Sequence, residues 1–584
     1  MKTVNRTIFS NGTMFPQRGA GWSRLAACAA LALAGAFARV AAAGAVGPAG
    51  ATGAAGAIGP ASVVAAVAAA GTAGHGGSSP VVRTQAGLVQ GTVENGVTVY
   101  KGVPFAAPPV GPLRWRAPQL PKPWVGVKAA DRFAPACAQV SRANPALGIP
   151  AVPVSEDCLY LNIWSPAKSP DDRLPVMVWI YGGGFAAGAT SMPVYDGTNL
   201  AKKGVVLVSI AYRVGPFGFL AHPALTKESG HGSGNYGLLD QIAGLQWVQR
   251  NIAAFGGDPH RVTIFGESAG GISVNMLAAS PLAAGLFEGA ISESGGSFGP
   301  PKSDDEGGVN VPTLATAERY GAAFLSALGA STIEQARRLS VERILKGPGA
   351  SMMGGRFWPN FDGYVLPRDE YLLYSAGLQN DTPVLIGTNA DEGAIFPHPR
   401  DAASFIKMVR AQYGAYADRI LAAYPAHSDA EAARSASSLM RDTAFGWNTW
   451  TWARLQSRTG KGRVWLYYFN HRPPYPDVPY FKGVGATHGA ELAYVFGNPS
   501  EQGMHFTEED QALSEAIMTY WTDFAKRGDP NGDSLPRWEP FTARHQVVMH
   551  FDAAPQMGAV PNFKQLEALD GYYAWRRSEA REGQ

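Results

Sequence analysis

From residue 81 to 103, apolar and polar positions alternate around Gly87, Gly91 and the pair Asn95-Gly96. A period of two broken by turn residues predicts small antiparallel hairpins. A Pro-rich stretch from Pro104 to Pro123 follows, and the pattern then changes. Unbroken apolar runs appear at 176–180, within 204–210, and at 383–386 and 464–469, and Val262-Thr-Ile-Phe265 reads as a further short strand. Short runs without a polar face suit strands covered on both sides. Between them Leu238, Leu239, Ile242, Leu245, Trp247 and Val248 recur at helical spacing. Strands alternating with helices predict an α/β fold, a large and mostly parallel sheet with helices on both faces. Segments 312–346 and 402–458 read as helical insertions, and no internal repeat is evident.

The N-terminus follows a different rule. Lys2, Arg6, Arg18 and Arg24 lead into an apolar run over 25–37, which Arg39 ends. That run is too short to cross a bilayer, which takes about 20 residues. Ala36-Phe37-Ala38 fits a small-x-small cleavage site, with Ala41-Ala42-Ala43 a second candidate. These features predict an export signal over 1–38, and the long lead makes Met14 an alternative start. Leu25-Ala-Ala-Cys28 resembles a lipoprotein box, but a lipidated cysteine should follow the apolar run and Cys28 lies early in it. Residues 41–79, within a linker expected over 39–79, are nearly all Ala, Gly, Val, Ser, Thr and Pro, with Gly44, Gly47, Gly50, Gly53, Gly56 and Gly59 at the collagen period. Only Pro48 and Pro60 accompany them, so a flexible Ala/Gly linker is the better reading. The organised domain is expected over 80–576, with 577–584 as a C-terminal tail.

Composition narrows the class. The chain is 46% hydrophobic and 16% charged, too apolar for disorder over most of its length. Its 49 basic and 46 acidic residues leave a formal charge of +3. That balance gives no electrostatic reason to expect nucleic acid or insertion into an anionic membrane surface. If cleavage removes Cys28, Cys137 and Cys158 remain, and an even pair in an exported chain suggests one disulfide. The alternative is two separate buried thiols. Neither has metal-type spacing to a second cysteine or to a histidine.

The chemistry concentrates in glycine-flanked turns. Gly266-Glu267-Ser268-Ala269-Gly270 follows the apolar run ending at Phe265 and precedes a small-residue, helix-compatible stretch. Strand, sharp turn and helix make G-x-S-x-G a nucleophile elbow, and the helix start aims free N–H groups at the same spot. Tyr181-Gly182-Gly183-Gly184-Phe185 follows another predicted strand, at the edge where α/β sheets place their sites. It lacks the Gly-Lys-Ser/Thr ending of a phosphate loop. Two N–H donors from this run, with Ala269 N–H as a third, would form an oxyanion hole. The acid and base should follow in the order Ser, Asp/Glu, His. Asp391 and Glu392 both qualify as the acid. His488, in a Gly-flanked loop after the run at 464–469, is the favoured base, with His471 and His505 as rivals. His488 with Glu491 lacks a third metal ligand, and neither a metal nor an organic cofactor is required. Glu267 is either an electrostatic tuner or a structural carboxylate. Phe357-Trp358 and Trp447, Trp450 and Trp452 line a pocket or, preferably, pack the core.

Taken together, Gly266-Glu-Ser-Ala-Gly-Gly271, Tyr181-Gly-Gly-Gly-Phe185, Ser155-Glu-Asp-Cys-Leu-Tyr-Leu-Asn162 and Tyr212-Arg-Val-Gly-Pro-Phe-Gly218 resemble the type-B carboxylesterase/cholinesterase family. Asn235-Tyr-Gly-Leu-Leu-Asp-Gln241, Phe255-Gly-Gly-Asp-Pro259, Asp391-Glu-Gly393, His488-Gly489 and Gly528-Asp-Pro-Asn531 fit it too. The resemblance spans about 80–575 and is nearest to the bacterial para-nitrobenzyl-type esterases. It implies an α/β-hydrolase fold and a Ser/Glu/His triad of Ser268, Glu392 and His488, selecting Glu392 over Asp391. It implies Gly183, Gly184 and Ala269 as oxyanion donors and Cys137–Cys158 as a disulfide. The segment between those cysteines has no Trp, so a cholinesterase-like choline site is not expected. The implied substrate is a small-molecule carboxylic ester. Alternatives within the same family are a narrow feruloyl, toxin or aromatic-ester specialist, an amidase, and a non-catalytic binding relative.

Overall fold

The computed structural model describes residues 80–140, 150–301, 311–350 and 355–582, so the predicted export signal and linker lie outside the described residues. Among the described residues the large sheet has eleven strands. In chain order they are β1 (Thr92–Glu94), β2 (Val97–Pro104), β3 (Tyr160–Ser165), β4 (Leu174–Ile180), β5 (Val206–Ile210), β6 (Gly257–Glu267), β7 (Gly289–Glu293), β8 (Val384–Asn389), β9 (Val464–Phe469), β10 (Val547–Phe551) and β11 (Pro555–Ala559). Across the sheet the order is β11-β10-β9-β8-β7-β6-β4-β5-β3-β2-β1. The run from β5 to β10 pairs in parallel, and antiparallel strands close both edges.

The central strands are apolar throughout because helices cover both faces. Every residue of β5, β7 and β8 is buried, and six of the seven in β4. Helix α1 (Tyr236–Asn251) buries Leu238, Ile242, Leu245, Trp247 and Val248 as its spacing predicts. The insertions are helical as expected. Three helices occupy 314–345, and 402–459 contains α2 (Asp429–Arg441) and α3 (Trp447–Thr459) among others.

The antiparallel hairpin expected around Asn95-Gly96 forms as β1 and β2, and through β2–β3 pairing it closes one edge of the large sheet. One expectation needs correction. A boundary at 576 cuts through a helix, Phe563–Glu582. Arg577 lies inside it, donates to the Phe298 carbonyl and stands 3.7 Å from Asp369. Residues 577–582 are therefore part of the fold.

Cys137 and Cys158 are joined by a disulfide that closes a 21-residue separation. Constraining a loop of that size in the unfolded chain is worth about 3 kcal/mol in the chain-entropy model. The Cys137→Ala/Cys158→Ala pair is expected to lower unfolding free energy by about that amount, with a larger m-value because the unfolded chain expands, both read from denaturant unfolding curves.

Candidate active site

The parallel register sets which groups meet. Glu267 at the end of β6 lies opposite Glu293 at the end of β7, which lies opposite Gly387 on β8. The C-terminal ends of adjacent strands thus deliver Glu267, Ser268, Glu293 and the 389–392 turn to one edge.

Ser268 stands between β6 and the helix Ala269–Ala279, with φ 57° and ψ −123°. This is a left-handed conformation that an L-residue adopts only when its surroundings impose it. Here Ser268 N–H donates to the Glu293 carbonyl at 2.9 Å, and the Ser268 carbonyl accepts from Ile272 N–H at 2.8 Å. The flanking glycine is required by packing. A Cβ at Gly270 would lie 2.0 Å from the Ile180 carbonyl oxygen. The Ser268 side chain makes no capping bond to its own helix, which leaves the hydroxyl free to face outward.

His488 Nε2 stands 2.8 Å from Ser268 Oγ, and His488 Nδ1 stands 2.5 Å from Glu392 Oε2. Glu392 is fully buried. Its other oxygen accepts from Asn389 N–H at 2.8 Å and from Ser294 Oγ at 2.5 Å. Asp391 is engaged differently. Its carboxylate accepts from Gly485 N–H at 2.9 Å, and its own N–H donates to the Ala486 carbonyl at 2.8 Å. Asp391 thereby ties the acid turn to the histidine loop, while Glu392 faces the ring.

The glycine run packs against the serine. A Cβ at Gly182 would stand 3.0 Å from Ser268 Cβ. Gly183 has φ 105° and Gly184 φ 60°, conformations that glycine adopts without penalty. Among the described residues, neither N–H finds a backbone acceptor. Phe185, also at positive φ, holds this loop by edge contacts with Phe219 and Trp358 at 5.1 and 4.8 Å.

The rival histidines are elsewhere. His471 pairs with Asp510 at 2.7 Å, and His505 is exposed on a groove beside Lys202 and Lys203. Trp447 and Trp452 are core residues, packed against Tyr573 and against Phe298 and Tyr374.

Several functional neighbours escape sequence reasoning. Ser294, Glu293 and Asn389 sit at the ends of short buried strands, where no periodicity marks them. Glu491 faces inward one turn after His488 and accepts from Asn389 Nδ2. Glu267, 5% exposed, stands 3.2 Å from His488 Nε2. Burial pushes Glu267 up to about 7 against the pull of His488, and the Glu392 charge adds to the rise. Burial and neighbouring charge likewise push Glu491 up to about 8 and raise Glu293. Burial disfavours the His488 cation, but Glu267, Glu392 and Glu491 outweigh it and push the ring up to about 9.

A model of the carboxylesterase family matches residues 78–569. The chain belongs to the carboxylesterase family. This carboxylesterase is 40% identical over 486 residues to a fumonisin B1 esterase of Sphingopyxis macrogoltabida, covering 80% of this chain and 86% of that protein. It is 38% identical over 488 residues to a para-nitrobenzyl esterase of Bacillus subtilis strain 168, covering 81% and 95%. Among solved structures, a PNB esterase superposes with a TM-score of 0.73 at 34% identity, covering 84% of this chain and 99% of that one. The carboxylesterase is thus an α/β-hydrolase and a carboxylic ester hydrolase.

If His488 is the base for Ser268, a protonated ring has no lone pair for the serine proton, and kcat/KM falls as pH falls through the histidine's range. Glu267→Gln removes a charge that holds the proton on the ring. The acid limb is expected to move to lower pH, read from kcat/KM profiles of parent and variant.

Proposed function

We propose that this carboxylesterase cleaves carboxylic esters through an acyl-enzyme on Ser268. The observation that carries the reading is the continuous chain from Ser268 Oγ through both nitrogens of His488 to a buried, twice-anchored Glu392. In the proposed reaction His488 Nε2 takes the Ser268 proton as Oγ bonds to the ester carbonyl carbon. The carbonyl π pair moves to oxygen, where the N–H groups of Gly183, Gly184 and Ala269 would hold the charge. Collapse breaks the bond to the leaving alkoxide, which receives the proton from His488. Water then attacks the acyl-enzyme with His488 again as base, and the acid leaves while Ser268 recovers its proton. Glu392 keeps Nδ1 protonated throughout and stabilises the imidazolium.

The test is para-nitrophenyl ester hydrolysis with stopped-flow detection, followed by phosphonate inactivation and peptide mass analysis. A stoichiometric burst of nitrophenol and a phosphonyl adduct on the Ser268 peptide are expected. Turnover with the adduct on another residue would overturn the assignment. Similarity to a fumonisin B1 esterase favours a second reading, a specialist for one class of larger ester. A kcat/KM for fumonisin B1 far above that for simple esters would select it, and turnover of matched anilides would select an amidase.

We also infer export from the N-terminal pattern. The disulfide supports it, and among the described residues no helix is long and apolar enough to cross a membrane. A secreted product beginning near residue 39 by N-terminal mass is expected; retention of residues 1–38 would refute it.

A further inference from the structure

Between α2 and α3 the chain does not continue as an α-helix. Asp442–Gly446 forms a π turn, closed by Trp447 N–H donating to the Asp442 carbonyl. A π turn holds one residue more than an α turn, so it re-aims the side chains it carries, and such turns concentrate at functional sites. The side chain placed by this one is Phe445. It is 4% exposed, and its ring lies over His488 at 4.5 Å between centroids with 20° between planes. No other aromatic ring among the described residues lies flat on His488; Phe396 meets it at 5.4 Å, tilted by 53°.

The turn is held from several directions. Asp442 is buried and accepts from Tyr424 OH at 2.9 Å and from Arg441 Nε at 2.7 Å. Arg441 also donates to the Ala390 carbonyl at 3.2 Å, next to the acid turn. The widened turn exposes the carbonyls of Thr443 and Ala444, and Asn448 Nδ2 donates to both at 3.2 Å. Asn448 Oδ1 in turn accepts from Phe298 N–H at 2.8 Å. The acid turn is pressed against the same insertion, because a Cβ at Gly393 would lie 1.9 Å from the Ser437 carbonyl oxygen. One helical insertion therefore supports the turn carrying Glu392 and supplies the wall behind His488.

We propose that Phe445 is a positioning residue for His488, delivered by the π turn to lie flat on the imidazole and fix its plane about the Ser268–Glu392 axis. The proposal rests on the reading of His488 as the general base. The Nδ1 and Nε2 bonds define a line through the imidazole, and rotation about that line is what they leave free. A flat ring on one face opposes that rotation. The face of an aromatic ring also carries partial negative charge and favours a cation stacked on it. Phe445 should accordingly stabilise the imidazolium that forms in each step.

The charges facing His488 are Glu392 from the acid turn, Glu267 from the end of β6, and Glu491 from its own loop. Arg441 and Asp442, beside Phe445 in sequence, pair with each other at 2.7 Å. Phe445→Leu keeps an apolar wall and leaves all of those charges in place, so it isolates the ring.

The experiment compares the parent, Phe445→Leu and Phe445→Tyr on para-nitrophenyl acetate and butyrate, with active sites counted by phosphonate titration. For Phe445→Leu we expect kcat on both esters to fall about ten- to a hundred-fold, as misplacement of a reacting group does. KM should stay within about two-fold. The acid limb of kcat/KM should move down by about half a pH unit or more as the ring's share in stabilising the cation is lost. Phe445→Tyr should restore both. A loss confined to KM, or one that differs between acetate and butyrate, would make Phe445 a substrate-pocket wall and overturn the proposal. So would an unmoved acid limb. A parent without an acid limb, or without phosphonate titration, would instead remove the reading of His488 and Ser268 on which the proposal stands.

Discussion

Ser268→Ala is expected to lower kcat on para-nitrophenyl esters by about 10⁶-fold, the scale on which loss of a nucleophile removes a triad acting as a unit. KM and thermal midpoint should change little. The structural reason is that the hydroxyl carries no structural bond. It does not cap the helix that follows, and its described side-chain contact is His488 at 2.8 Å. The backbone at φ 57° is held by bonds from Ser268 N–H and to the Ser268 carbonyl, which alanine keeps. Any remaining rate should come from water activated by His488 with the oxyanion donors intact. The measurement is steady-state kinetics beside calorimetry on the same preparation. A variant retaining more than a hundredth of parental activity would place the nucleophile elsewhere, and a large fall in thermal midpoint would give Ser268 a structural role as well.

The legible parts of this molecule are those where sequence and geometry share a local cause. β4 and β9 can be read because strands buried at nearly every position are unbroken apolar runs. The elbow can be read because the close approach of Gly270 to Ile180 excludes any side chain. Asp391 and Glu392 cannot be separated by sequence spacing, since both lie on one turn. Which of them faces His488 depends on Asp391 being engaged by Gly485, a residue distant in sequence. β7 escapes because five buried residues bounded by glycine and glutamate carry neither alternation nor length. Glu293, Ser294 and Asn389 go unrecognised with it and with the end of β8, since their roles arise from parallel register. Phe445 carries no local signal either. An aromatic residue within an apolar helical stretch reads as core, and only the extra residue of the π turn directs it onto the imidazole. The boundary at 576 fails for a related reason: a polar, charge-rich ending looks like a tail, but Arg577 is engaged by Asp369 and the Phe298 carbonyl.

Glu392→Gln should reduce kcat by about 10⁴-fold without unfolding the protein, through the tautomer of His488 rather than through lost contact. The carboxylate Oε1 accepts from Asn389 N–H at 2.8 Å and from Ser294 Oγ at 2.5 Å, and Oε2 faces His488 Nδ1 at 2.5 Å. An amide has one oxygen and one NH2 group for these places. Ser294 can rotate its proton away and accept, but the backbone N–H of Asn389 only donates. The amide oxygen must therefore stay with Asn389, which turns the NH2 towards His488. Nδ1 is then forced to accept and Nε2 to carry the hydrogen, so the nitrogen facing Ser268 has no lone pair to take its proton. The buried bonds are all still made, which is why stability should hold within about 1 kcal/mol. The check is kcat for parent and Glu392→Gln, with 15N chemical shifts of the His488 ring. Recorded at a pH above the ring's range, where it is neutral, an Nε2–H signal is expected in the variant where the parent shows Nδ1–H. A variant that loses rate but keeps the Nδ1–H tautomer would show that Glu392 acts mainly by its charge, and one that loses less than about ten-fold would show that neither the charge nor the tautomer it sets carries the rate.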